Sequence, residues 1–137
     1  MTPAQALQYV LLAARDQKVM LTKTAQMRLL YLTDLRAQRH GDETSGVLWE
    51  RAAHGPFNRS VGFFPRKVDV NLGRDAAYYG HAVAVVGAYA KMGNDDLGLV
   101  CKGSAPMRKA PNKGDRLDLA STSTNDTSAP VTSPTGR

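Results

Sequence analysis

The sequence predicts a mainly α fold, with α+β as the alternative: a small helical N-terminal domain, a few short strands after it, and a disordered C-terminal tail. Three observations carry this expectation. Two early stretches pair helix-start signals with apolar residues at helical spacing. Alternation of apolar and polar residues begins only after Phe64. Residues 120–137, ASTSTNDTSAPVTSPTGR, hold 9 Ser or Thr among 18 positions and two prolines.

The first helix starts at TPAQ. Thr2 is the expected cap, Pro3 suits the first helical position, and Gln5 completes a capping box. Ala6, Leu7, Val10, Leu11 and Ala14 follow on one face, and RDQKV ends the segment. The second helix is LTKTAQMRLLYLTDLRAQRHG, with Thr22 as N-cap and Gly41 as its stop. Leu21, Ala25, Leu29, Leu32 and Leu35 share a face, while Met27, Leu30 and Tyr31 widen it. So broad an apolar surface predicts a helix packed on several sides. Thr22, Lys23, Gln26, Thr33 and Asp34 form the polar side.

GDETSG reads as a loop. VLWERAAHGPF reads as an extended segment or short strand that reverses at Gly55-Pro56, because Pro56 fixes its own φ and pushes Gly55 out of the helical region. PRKVDVNLGR alternates at Val68, Val70 and Leu72, which predicts a strand. For AAYYGHAVAVVGAYAKM the β-branched residues and two glycines favour a strand over a buried helix, and LGLV reads as one more strand. Beyond Gly103 no apolar period remains, and a segment so poor in apolar residues cannot offset the entropy of ordering. The expected division is 1–65 as the helical domain, 66–102 as short strands or a helix, and 103–137 as the tail.

The chain is basic, with net charge +6 spread as +3 in residues 1–65 and +3 in residues 66–137. Basic chains approach nucleic acid or acidic protein surfaces, but this one has no basic run and no Arg–aromatic stripe. Lys23, Arg28, Arg36 and Arg39 can be drawn facing phosphate in a helix-turn-helix regulator, the second functional reading. The single Cys101 excludes an intrachain disulfide and fits a reducing cytosol. The N-terminus lacks a signal-peptide pattern, and residues 76–90 are shorter than the ~18–20 apolar residues of a spanning helix. A cytoplasmic protein without membrane contact is expected.

No Walker A loop, GxGxxG turn, HExxH helix or paired-cysteine zinc pattern occurs, so neither cofactor nor metal is expected. RHGDE around His40, Asp42 and Glu43 reads as a helix end and solvated loop, being short of metal ligands. His54 lacks a neighbouring nucleophile or acidic pair and reads as structural. GHAVAVVG at 80–87 is similar to the segment around the catalytic histidine of papain-like cysteine proteases, with Asn94 downstream. The upstream cysteine of those enzymes is missing and Cys101 follows instead, so no catalytic residue is expected.

Taken together, LTKTAQMRLLYLTDLRAQRHG and VLWERAAHGPF resemble the Panacea domain, the SocA-like antitoxin family of prokaryotes and phages. The resemblance rests on Leu21, Thr22, Lys23, Gln26, Leu29, Leu30, Tyr31, Trp49, His54, Gly55 and Pro56, and spans roughly residues 4–62. Arg28 stands where relatives often carry Lys, and Ala25 where they carry Leu. The family continues after Gly-Pro with further helices; here FNRSVGFF leads into glycine-broken, strand-like sequence, the pattern of a truncated, recombined or frame-shifted member. The resemblance implies a non-enzymatic antitoxin that neutralises a cognate toxin by direct contact. It marks Lys23, Gln26, Tyr31, Trp49, His54, Gly55 and Pro56 as motif and partner-contact residues. Tyr31 and Trp49 are of the types that anchor interfaces and also of the types that fill cores.

Overall fold

A computed structural model describes residues 1–65 and 67–122. Among these residues the regular structure is five α-helices, one 3-10 turn and a two-stranded hairpin. The mainly α expectation holds. No described helix is long and apolar enough to cross a membrane.

Helix α1 (Pro3–Asp16) opens with the expected capping box: Thr2 Oγ1 accepts the Gln5 N–H at 3.1 Å, and Gln5 Oε1 accepts the Thr2 N–H at 2.8 Å. It ends in a left-handed Lys18, with φ 59°, whose successor Val19 donates back to the Ala14 carbonyl. Helix α2 (Lys23–Arg39) is capped by Thr22 Oγ1 on the Ala25 N–H at 3.1 Å. Gly41, at φ 73°, stops it, and Asp42 donates back to the Ala37 carbonyl. Every residue from Leu29 to Leu35 is buried, so α2 is the central helix that its broad apolar surface predicts.

The chain then runs extended, with Ser45, Val47 and Trp49 inward and Leu48 outward. Strand β1 (Glu50–Ala52) turns through Ala53-His54 into β2 (Gly55–Phe57), antiparallel, with Arg51 opposite Pro56. Gly55 needs a φ of 145°, which explains glycine there. On its other side β1 is met by residues 114–117: Arg51 N–H donates to the Asp115 carbonyl at 2.8 Å, and Leu117 N–H to the Trp49 carbonyl at 2.9 Å. A 3-10 turn (Arg59–Phe63) follows β2.

Three expected strands do not form after this point. No strand forms at 68–72. Val68 and Val70 are half-buried without a partner strand, and Leu72 is exposed. AAYYGHAVAVVGAY is helix α3 (Ala76–Tyr89), not a strand. Its buried residues Tyr78, His81, Ala82, Val85 and Val86 fall at helical spacing, while Gly80 and Gly87 lie on its exposed side. LGLV belongs to helix α4 (Asn94–Lys102), which Asp95 and Asp96 start favourably in its first turn. Within the expected tail, residues 103–122 are built in: α5 (Ala105–Arg108) follows, and Met107 and Leu117 are buried. The rest of that tail, residues 123–137, lies outside the described residues. The expected domain border near residue 65 does not divide the core, since α3 packs on both α1 and α2. Residues 67–122 therefore complete the domain.

Asp34 joins these parts. Its carboxylate is fully buried on α2 and receives four donors. Oδ1 accepts the Ser45 N–H at 2.8 Å and the Tyr78 hydroxyl at 2.7 Å. Oδ2 accepts the Ser45 hydroxyl at 2.5 Å and the Trp49 indole N–H at 2.9 Å. Burial pushes its carboxyl above the usual value, and the four donors pull against that rise. A second carboxylate, Asp75, begins α3. It accepts the Tyr9 hydroxyl at 2.6 Å and two Arg74 guanidinium bonds at 2.9 Å. Arg74 first, and Tyr9 after it, hold its pKa down to about 2.

The Ser45 and Trp49 N–H groups cannot reverse and sit on different oxygens, so Asp34→Asn must set its amide against one of them. Urea unfolding should show a loss of roughly 2–5 kcal/mol, against about 1 kcal/mol for Ser45→Ala. Asp75 keeps its charge in the folded state to lower pH than in the unfolded chain, where it titrates near ~3.9. Its contribution is present above that value and is lost as pH falls toward about 2. Arg74→Ala should flatten the stability loss in that window; an unchanged acid profile would contradict the assignment.

Candidate functional site

The exposed side of the α2 N-terminus carries Lys23, Gln26, Met27 and Arg28, and open clefts flank it on both sides. One, of about 290 Å³, lies toward α1 and the 3-10 turn, walled by Leu7, Leu11 and residues 61–65. The other, of about 500 Å³, lies toward the hairpin, walled by residues 52–57 and Lys113. Lys23 and Met27 line both. All three phenylalanines of the chain, Phe57, Phe63 and Phe64, line these clefts, and Phe63 is 78% exposed.

Arg28 fixes the hairpin relative to the helices. Its Nη1 donates to the Asn94 carbonyl at 2.6 Å and its Nη2 to the His54 carbonyl at 2.9 Å. The guanidinium lies 3.3 Å from where a Cβ on Gly98 would sit, so a side chain at position 98 would crowd it. One cation thereby ties α2, the hairpin turn and α4. Lys23, Arg28 and Lys113 have no carboxylate partner among the described residues, and neither cleft contains Asp or Glu.

The sequence-marked residues divide into two groups. Lys23, Gln26, His54, Gly55 and Pro56 line the clefts. His54 supplies a backbone carbonyl to Arg28. Pro56 lies opposite Arg51, whose own N–H and carbonyl bond away toward residues 114–115, so Pro56 faces the outer edge of β2 without an N–H to offer. Tyr31 and Trp49 instead belong to the core, at 0% and 1% exposure. Their rings meet edge to face at 5.6 Å, the Tyr31 hydroxyl bonds Ser104 Oγ at 2.6 Å, and burial pushes the Tyr31 phenol upward. Phe57, Phe63 and Lys113 carry no mark in the sequence reading, which places Met27 only on an apolar flank and Arg28 only among cations facing phosphate. The crowding of every phenylalanine into residues 57–64 was the available signal.

The groups with chemical potential elsewhere are engaged. His81 Nδ1 accepts from Arg36 Nε at 3.1 Å, which leaves Nε2 to donate to Asp42 at 2.7 Å. His40 Nδ1 lies 2.9 Å from the Arg36 carbonyl, and Glu43 pairs with the N-terminal amine at 3.4 Å. Among the described residues no cluster of three metal-ligating side chains occurs. Burial pushes the Cys101 thiol up to about 12, the opposite of an activated thiolate. The thiol faces the Arg28 carbonyl, so His81 and Cys101 have separate partners. Of the cations drawn for phosphate contact, Arg28 bonds two carbonyls and Arg36 bonds His81. A helix buried around its whole girth from Leu29 to Leu35 has no free face for a DNA groove along that stretch.

Comparison with known protein families, curated proteins and solved structures finds no match.

Arg28→Ala should loosen the hairpin turn and cost about 1–3 kcal/mol in chemical unfolding, since two charge-assisted bonds are lost. Amide exchange at Gly55 should quicken more than at Leu30; uniform protection would contradict the tie.

Proposed function

We propose that this protein is a non-catalytic, antitoxin-like binding protein that acts in the cytoplasm and neutralises a co-encoded toxin by direct contact. The observation that carries this reading is the convergence of the motif residues. Lys23 and Gln26 on α2 and His54, Gly55 and Pro56 on the hairpin are separated in sequence, yet they line two adjoining clefts. Tyr31 and Trp49 pack beneath the same elements and hold them in place. The Panacea-like pattern thus reads as one surface with its support. Helices α3, α4 and α5 after Gly55-Pro56 also support the reading, because the resembling family continues with helices there.

Co-expression with the product of the neighbouring gene tests this. That product should arrest growth alone, growth should recover when this chain is present, and the two should co-purify. A harmless neighbour that does not bind would overturn the proposal.

A further inference from the structure

We propose that the paired clefts receive an acidic amphipathic helix of the protein partner, its apolar side chains entering on either side of Met27 and its carboxylates meeting Lys23 and Lys113. This rests on the partner-binding reading above and adds the chemistry of what is bound.

Charge complementarity identifies the occupant. Among the described residues the clefts hold three cations and no carboxylate, in a chain of net charge +6. Two of those cations, Lys23 and Lys113, are exposed, and neither has a partner among the described residues. A basic or neutral segment would leave them uncompensated; an acidic one meets them at the rim and is steered toward them. The floor is apolar, with Met27 between the clefts and Phe57 and Phe63 at the walls. Methionine and exposed aromatic rings adapt to the apolar face of a partner.

The backbone decides the form of the occupant. A strand cannot extend the hairpin past β2, because Pro56 has no N–H at that edge and the His54 carbonyl is already bonded to Arg28. Recognition must run through side chains in grooves, which is how an amphipathic helix binds.

A phage-displayed library on a helical scaffold, with one randomised face, should be selected against the full chain. Enriched clones should carry Asp or Glu beside Leu, Phe or Trp, and bind less tightly as salt rises. The double variant Lys23→Glu, Lys113→Glu and the single variant Phe63→Ser should each weaken those clones about tenfold or more. These positions are exposed, so circular dichroism should match the parent chain. Clones without acidic residues, clones that bind all variants equally, or no enrichment would overturn the proposal. The co-encoded protein is assayed with the same variants. If clones bind but that protein does not, the antitoxin reading fails and the cleft stands. If that protein binds but ignores the variants, the cleft assignment fails and the antitoxin reading stands.

Discussion

The buried carboxylate of Asp34 is the interaction on which the rest depends. A charge with no exposure is tolerable only with its lone pairs filled, and four donors from three segments fill them. Ser45 fixes the loop after α2, Trp49 fixes the approach to the hairpin, and Tyr78 fixes α3. Such a network adds little net stability, because burying the charge costs about what the bonds return. What it specifies is position. Two of its donors are N–H groups aimed at different oxygens, and only a carboxylate accepts both.

From that anchor the clefts follow. Trp49 is held by Asp34 and packed against Tyr31, so β1 begins at a fixed point beside α2. Arg28 then ties the hairpin turn to α4, and residues 114–117 close the other side of β1. The α2 N-terminal turns are left between two fixed walls. A preformed groove of this kind spares a partner the entropy of ordering it. The sequence motif mixes residues of both roles: Trp49 and Tyr31 build the support, and Lys23, Gln26, His54, Gly55 and Pro56 line the surface.

Local signals were legible and long-range ones were not. Thr2, Thr22 and Gly41 act where their side-chain and backbone chemistry predicts, because caps depend only on near neighbours. The reversal expected at Gly55-Pro56 falls at Ala53-His54 instead, and Gly55-Pro56 opens β2, because a proline is tolerated in a strand where its missing N–H faces the outer edge. Helix α3 was misread because Gly80 and Gly87 lower its helical preference, yet both lie on the exposed side and spare the buried stripe. Residues 103–122 looked unfoldable because they carry few apolar residues of their own. They are ordered by what they join: Met107 and Leu117 enter a core built elsewhere, and residues 114–117 bond to β1. Whether Tyr31 and Trp49 face in or out depends on groups far along the chain: the Tyr31 hydroxyl meets Ser104, and Trp49 shares Asp34 with Tyr78 of α3.

Amide hydrogen exchange, measured on this chain alone and in complex with the neighbouring gene's product, tests the contact surface most directly. The cleft assignment predicts new protection confined to residues 23–28, 52–57 and 61–65 and the turn at Lys113, with the α3 exposed side unchanged. Protection gained along α3 or α4 instead, or none gained in a stable complex, would contradict it.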